Sequence, residues 1–256
     1  MSSPKDVTAD VKHAEYGRRK ILSMPIELFE SIINDVPNGV HVNITGGEPL
    51  LHPKINEILA LLSKQNKSYT LLSNEILADK LVEIVRSEGV KKLELSCDGP
   101  KVTYKHVRGV DNYDNIVRIV DELRDEVDIG INFTMNPLNT KKDLIKVKRF
   151  CDSRGVYLAV GVYDNPEYFD TTIKKEELYD ADGLASYPVN RYIRLYNSWL
   201  GGNLRLPCYS IRFSCFILPQ GCTDVPRQED RTGQFKQASV EQDLEILEKI
   251  WIFREI

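Results

Sequence analysis

One stretch decides how the rest of this chain is interpreted: Val42-Asn43-Ile44-Thr45-Gly46-Gly47-Glu48-Pro49-Leu50. It is a short apolar run followed by two glycines, a carboxylate and a proline. Adjacent glycines let a backbone turn sharply and approach a ligand closely, because they carry no Cβ. Pro49 restricts the backbone after Glu48, so this carboxylate is held on a stiff support. The stretch predicts a strand that ends in a ligand-binding turn, although the same residues also suit a simple connection between a strand and a helix.

Further strands follow at regular intervals along the chain, each separated from the next by an amphipathic helix. The helices carry apolar residues at helical spacing, as in Ile116, Ile119, Val120 and Leu123. This alternation predicts parallel strands with right-handed crossovers, hence an α/β fold that forms part of a TIM-like barrel. Functional residues are then expected at the carboxyl ends of the strands. The predicted strands are Val40–Thr45, Ser68–Leu72, Lys91–Ser96, Ile129–Thr134 and Val156–Val162.

Composition narrows the class of protein. With 256 residues, 42% of them hydrophobic and 28% charged, the chain can bury a sizeable core. A net charge of -4 gives no general attraction to nucleic acid. No apolar run is long enough to span a bilayer, and the start of the chain lacks the apolar core of a signal peptide. We therefore expect a cytoplasmic protein with neither a membrane nor a nucleic acid as its partner.

The chain divides into three parts by composition. Residues 1–23 are polar and without a usable period, residues 24–165 carry the strand–helix repeat, and residues 166–256 contain an acidic, Tyr-rich linker followed by a cysteine-bearing segment. The five cysteines are dispersed and odd in number, which does not fit the disulfide framework of a small secreted fold. We expect a barrel-like domain with a smaller C-terminal appendage.

Three motifs, in the correct order, resemble those of radical S-adenosylmethionine (radical SAM) enzymes. The first is the turn itself, extended as Ile44-Thr45-Gly46-Gly47-Glu48-Pro49-Leu50-Leu51-His52-Pro53. The second is Leu95-Ser96-Cys97-Asp98-Gly99-Pro100 followed by His106-Val107-Arg108-Gly109. The third, Pro207-Cys208 followed by Phe216-Ile217-Leu218-Pro219-Gln220-Gly221, is similar to the start of the extension called SPASM or twitch. The resemblance covers the chain from about Met24 onward.

The resemblance implies S-adenosylmethionine as cofactor and a [4Fe-4S] cluster that cleaves it reductively to a 5′-deoxyadenosyl radical. That radical abstracts a hydrogen atom from the substrate, here a peptide or a small biosynthetic intermediate. In such proteins the cofactor performs the difficult chemistry and the protein orients it.

The resemblance also names candidates for contacting the cofactor. Gly46, Gly47 and Glu48 would hold its α-amino group, a contact that needs an ionised carboxylate. Arg108 would grip its carboxylate, or else be a solvated loop arginine. Asn132 would face the barrel interior if Ile131 and Phe133 point outward. Alternatively, it is a core residue whose amide is hydrogen-bonded within the protein. The remaining candidates, each of which also suits loop capping or turn geometry, are Pro49, Asn74, Ser96 and Asp98.

The cluster motif of the family, Cys-x3-Cys-x2-Cys after the first strand, has no counterpart here. Thiolates hold such clusters, and no cysteine precedes Cys97. We prefer the explanation that the first strand and the triad are both absent from this polypeptide, because no strand is predicted before Val40–Thr45. The other explanation is a clusterless homologue with Ser3, Val7 and Asp10 at the ligand positions.

A missing first strand would leave Val40–Thr45 with an open edge, so self-association or a partner chain is expected. A truncated product, a split protein and a catalytically inactive homologue remain alternatives. The chain is then either an enzyme that is inactive in isolation or a non-catalytic subunit that keeps part of the cofactor pocket.

Cys208, Cys215 and Cys222 are the candidate ligands of an auxiliary cluster. Cys208 matches the SPASM or twitch pattern, but Cys222 follows Gly221 directly, which departs from it. Buried or free thiols are the alternative. Cys97 and Cys151 are interpreted as packing residues.

Overall fold

The computed structural model of the chain describes residues 23–162. Within them, residues 23–36 and 37–162 belong to different compact units. The first holds helix α1, Ile26–Asp35, which follows Pro25 and buries Phe29 and Ile33. The segment with Ser3, Val7 and Asp10, and the extension with Cys208, Cys215 and Cys222, lie outside the described residues.

Residues 37–162 form a sheet of five parallel strands whose spatial order follows the chain. The predicted α/β fold with parallel strands is confirmed. The strands are β1 His41–Ile44, β2 Ser68–Ser73, β3 Lys92–Ser96, β4 Asp128–Met135 and β5 Tyr157–Val162. The connecting helices are α2 Ile55–Lys64, α3 Ala78–Ser87, α4 Lys101–Arg108, α5 Tyr113–Leu123 and α6 Lys141–Arg154, with a 3-10 helix at Pro49–Leu51.

One difference from the sequence interpretation concerns the segment after β3. No helix was predicted at residues 101–108, but they form helix α4. This helix begins after Pro100, whose fixed φ suits the position before a helix, and ends at Gly109 in the left-handed conformation. Only Tyr104 of this helix is buried, so its apolar pattern is too sparse to predict it.

Alternate residues of the central strands separate into two faces. Leu93, Leu95, Ile131 and Phe133 are fully buried. The residues between and beside them, namely Glu94, Ser96, Asn132 and Thr134, are only partly buried and define what we call the polar face. Since side chains alternate along a strand, the apolar set faces the packed core and the polar set faces the other way.

Helix ends are fixed by local chemistry. Thr140 and Asp143 form a reciprocal capping box at the start of α6, and Gly155 ends that helix with a φ of +69°. Within residues 23–162, none of the helices has both the length and the apolar character needed to cross a bilayer.

In the described part of the chain, β1 pairs only with β2, and β5 pairs only with β4. Each therefore presents one edge without a strand partner among these residues.

Candidate functional site

Parallel strands bring all their carboxyl ends to one edge of the sheet, called here the carboxyl edge. Three buried carboxylates lie there, Glu48 after β1, Glu75 after β2 and Asp98 after β3. Each accepts a hydrogen bond from a backbone N–H at the end of the next strand. The distances are 2.7 Å from Asn74 N to Glu48, 2.6 Å from Ser96 N to Glu75 and 2.9 Å from Thr134 N to Asp98. We call these three contacts the carboxylate clamps.

The first clamp fixes Glu48 through three donors. Its Oε1 accepts from Leu50 N at 3.1 Å, and its Oε2 accepts from Ser73 Oγ at 3.0 Å as well as from Asn74 N. Glu48 thereby also caps the 3-10 helix that Pro49 begins. A carboxylate offers about four acceptor positions, so one on Oε1 is unused among the residues that the structure describes.

The glycine turn before Glu48 borders open space. A Cβ built on Gly46 or Gly47 meets no atom within 4 Å, and Gly46 has a φ of +152°. Asn74 closes this loop, because its Nδ2 donates to Gly47 O at 3.2 Å and its Oδ1 accepts from Ile76 N at 3.3 Å. Asn74 thus caps a loop with its side chain, and the backbone of the turn stays accessible to a ligand.

The third clamp includes an ion pair. Arg108 Nε donates to Asp98 Oδ2 at 2.5 Å, while Asp98 Oδ1 accepts from Thr134 N. Burial opposes the charge of Arg108, but Asp98 and then Glu75 outweigh it, so the pKa of the guanidinium is raised. Of the guanidinium nitrogens of Arg108, only Nε donates a hydrogen bond to a partner within residues 23–162. Within this part of the chain, the two Nη groups of Arg108 donate to no partner, and they form a planar fork that suits a carboxylate.

Glu75 is the functional candidate that the sequence interpretation missed. It is completely buried. Besides the bond from Ser96, its Oε2 accepts from the Tyr104 hydroxyl at 3.3 Å, and its backbone oxygen accepts from Asn115 Nδ2 at 2.9 Å. Burial raises the pKa of Glu75 well above the ordinary carboxyl value, and the Ser96 N–H and Arg108 offset part of that rise. Its place directly after Ser73-Asn74, at a predicted strand end, was the available signal.

Comparison with known proteins identifies the family of this chain. The model described as the radical SAM superfamily matches residues 8–151, more than half of the chain. The chain belongs to the radical SAM superfamily.

Curated relatives of this radical SAM protein include two cyclases. The GTP 3′,8-cyclase of Aliarcobacter butzleri (strain RM4018) is 26% identical over 145 residues, which are 54% of this chain and 44% of that protein. The probable GTP 3′,8-cyclase of Methanocaldococcus jannaschii is 27% identical over 127 residues, 46% of this chain and 41% of that protein. The chain therefore spans less than half the length of either relative.

Among solved structures, the crystal structure of Streptococcus suis SuiB is similar with a TM-score of 0.54. The identity is 21%, and the match covers 76% of this chain and 46% of that chain. At this identity the likeness concerns the fold, and it agrees with the parallel sheet described above.

The other candidates of this radical SAM protein lie on the polar face. Ser96 and Asn132 are neighbours in the register of β3 and β4. Asn132 is partly exposed, whereas Ile131 and Phe133 on either side of it are buried. Asn139, which the sequence interpretation also missed, donates to Asp98 O at 3.1 Å and to Thr134 O at 2.8 Å. It supports the third clamp from the loop after β4.

The described residues do not fit an iron–sulfur cluster. Cys97 and Cys151 are buried free thiols, and burial raises the pKa of each to about 12. Cluster ligands are cysteine thiolates, and two buried cysteines are too few to hold a four-iron cluster. Within residues 23–162, His, Cys, Asp and Glu form no group of three that would hold a metal. The carboxyl edge, by contrast, has the charged and polar groups that suit S-adenosylmethionine.

Proposed function

We propose that this radical SAM protein binds S-adenosylmethionine at the carboxyl edge of β1 to β4. The proposal rests on the groups that the clamps leave unused, one acceptor position on Glu48 and two Nη groups on Arg108. The methionine part of the cofactor carries an ammonium and a carboxylate, which these two groups complement. Gly46 and Gly47 supply accessible backbone beside Glu48.

The nucleoside part would lie along the polar face. Ser96 and Asn132 offer a hydroxyl and an amide there, at adjacent positions of neighbouring strands. In the superfamily, S-adenosylmethionine that is cleaved with one electron from a [4Fe-4S] cluster would supply the radical that abstracts a hydrogen atom from a substrate. The chain's own residues bind and orient the cofactor for that step.

We propose a peptide or a small biosynthetic intermediate as the substrate. Support comes from the range of the relatives, which include proteins named for acting on GTP and a structure of SuiB bound to the precursor peptide SuiA.

Calorimetric titration with S-adenosylmethionine tests the pocket. Arg108→Lys keeps the charge but loses the planar fork, so we expect affinity to fall about tenfold. Glu48→Ala should also weaken binding, because it removes the acceptor for the ammonium. Arg118→Lys is the matched control, since Arg118 is exposed and pairs with Asp79 away from this edge. Equal affinity in the Arg108 and Arg118 variants would contradict the assigned contact.

A second candidate function is a non-catalytic or partner subunit that retains the cofactor pocket. It is favoured because the two cysteines within residues 23–162, Cys97 and Cys151, are buried and too few to hold a four-iron cluster. Anaerobic iron–sulfur reconstitution decides between the two, using the chain with Cys208, Cys215 and Cys222 all replaced by Ala. We expect no stoichiometric four-iron cluster in that variant. A full cluster there would favour the enzyme.

The edge of β1 supports the proposal of a strand-adding partner, because its outer backbone groups have no strand partner among residues 37–162. Sedimentation should then show self-association. A monomer with exchange-protected β1 amides would argue against it.

A further inference from the structure

We propose that Glu75 is a positioning residue for the cofactor pocket. Its side chain joins the end of β2 to the end of β3 and to α4, and so determines where Ser96, Asp98 and Arg108 lie. This inference rests on the proposed function, because the pocket it positions is the proposed site for S-adenosylmethionine.

The backbone of Glu75 is the first observation. Its φ is +62°, in the left-handed region that a residue with a Cβ adopts at a cost and that glycine adopts freely. A chain that only needed this turn would be served better by glycine. The side chain of Glu75 must therefore contribute something that offsets the unfavourable backbone conformation.

The contacts of that side chain identify the contribution. Its Oε1 accepts from Ser96 N at 2.6 Å, and its Oε2 accepts from the Tyr104 hydroxyl at 3.3 Å. Ser96 lies two residues before Asp98, and Tyr104 lies four residues before Arg108 in α4. Residues four apart share one face of a helix. The carboxyl of Glu75 thus holds both segments that carry the Asp98–Arg108 pair.

Burial agrees with this role. Glu75 is completely buried, and a buried polar group without partners is costly, so its hydrogen bonds strongly restrain the segments that donate them. The guanidinium fork of Arg108, which is proposed to bind the cofactor's carboxylate, therefore depends on Glu75 for its position.

Three substitutions separate the side chain from the backbone conformation. Glu75→Gln keeps an acceptor and a polar group of the same size. Glu75→Ala removes both hydrogen bonds and keeps the left-handed strain, and Glu75→Gly removes the bonds and the strain together. Asn66→Gly is the matched control, because Asn66 has a φ of +53° in an exposed turn before β2.

Titration with S-adenosylmethionine should show about the same tenfold loss of affinity in Glu75→Ala and Glu75→Gly. Each variant loses the buried hydrogen bonds that position the pocket. Glu75→Gln should recover affinity to within about threefold of the original protein. Asn66→Gly should bind as the original does. If Glu75→Gly binds as tightly as the original, the turn alone matters and the proposal is overturned.

Amide hydrogen exchange without ligand provides an independent readout. In Glu75→Ala we expect exchange about tenfold faster at Ser96, which loses its acceptor, and faster also at Thr134, which is bonded to Asp98. If exchange at Thr134 is unchanged, the substitution affects only the hydrogen bond from Ser96 N, and the positioning role is overturned. Failure of the unsubstituted chain to bind S-adenosylmethionine would refute the proposed function instead, and the Ser96 and Thr134 amides would still decide the role of Glu75.

Discussion

The two ends of the sheet use polar residues in different ways. At the carboxyl edge, buried carboxylates accept hydrogen bonds from backbone N–H groups of the next strand. Toward the amino ends, polar side chains bond to one another. His41 contacts Ser68 and Thr70 through its two ring nitrogens at 2.8 Å each, and the Tyr157 hydroxyl donates to Glu94 at 3.0 Å.

The difference matters because a bond to the backbone fixes the path of a loop, whereas a bond between side chains fixes only their rotamers. Three consecutive loops are held in this way at the carboxyl edge, so its unused groups are displayed from a rigid frame. The His41–Ser68 and Tyr157–Glu94 contacts are exposed, so these groups can exchange their partners for water. The predictions below test whether this contrast appears in stability.

Asp98→Ala should have the largest effect. It leaves the guanidinium of Arg108 without its acceptor and removes the acceptor of Thr134 N, so we expect a loss of about 3 kcal/mol in the free energy of unfolding. Glu94→Ala removes an acid from the polar face and should cost about 1 kcal/mol or less. Urea unfolding measures both. Equal losses would remove the contrast between the two ends.

Glu75 should make stability depend on pH. Its pKa in the folded protein is raised above the ordinary value of 4.5, so the folded state holds this proton more tightly than the unfolded state does. The neutral acid therefore adds stability that is complete below about pH 4.5 and is lost as the pH rises toward the folded pKa.

The comparison protein for this pH dependence is Glu75→Gln, which cannot ionise. Above pH 4.5 the free energy of unfolding of the original protein should fall relative to that of Glu75→Gln. The difference should grow by up to about 1.4 kcal/mol per pH unit. Urea titrations at several pH values measure the difference. Parallel curves for the two proteins would contradict a raised pKa at this site.

The strands and the first turn could be predicted because their signals are local. Five apolar runs, each bounded by turn residues, mark the strand ends to within one residue. Gly89 and Gly155 mark helix ends where the backbone is left-handed. Cys97 and Cys151 were interpreted as packing residues, and both are buried.

The clamps could not be predicted, because each joins residues more than twenty positions apart. Nothing near Glu75 in the sequence shows that Ser96 N will be its donor, and a lone glutamate after a strand is usually solvated. Glu48 and Asp98 became candidates through resemblance to family motifs. The sequence offered no comparable pattern around Glu75, and α4 was missed since it buries a single side chain.

Gly130→Ala, a substitution on the polar face, should lower the free energy of unfolding by a moderate amount. A Cβ at this position would lie 2.1 Å from Cζ of Tyr157, so the ring must move. Because Tyr157 is 39% exposed, it can swing aside at a cost of about 1 kcal/mol. In a Tyr157→Ala background the same change should cost almost nothing. Thermal or urea unfolding of the four proteins in this cycle measures the coupling, and additive losses would show that the ring is not the obstacle.

Tyr157→Phe should have the smallest effect, about 0.5 kcal/mol, because the partly exposed Glu94 carboxylate can bond to water once the hydroxyl is removed. Ser73→Ala is the matched deletion of a hydroxyl at the carboxyl edge. Its Oγ donates to Glu48 Oε2 and accepts from Glu75 N, and it is buried, so water cannot replace it and the loss should be about 1.5 kcal/mol. Since both substitutions remove one oxygen from a residue of the sheet, the difference in their unfolding free energies isolates burial and backbone bonding at the carboxyl edge. A larger loss for Tyr157→Phe than for Ser73→Ala would mean that the amino ends of the strands are the more rigidly held, and the frame proposed for the cofactor would have to be placed elsewhere.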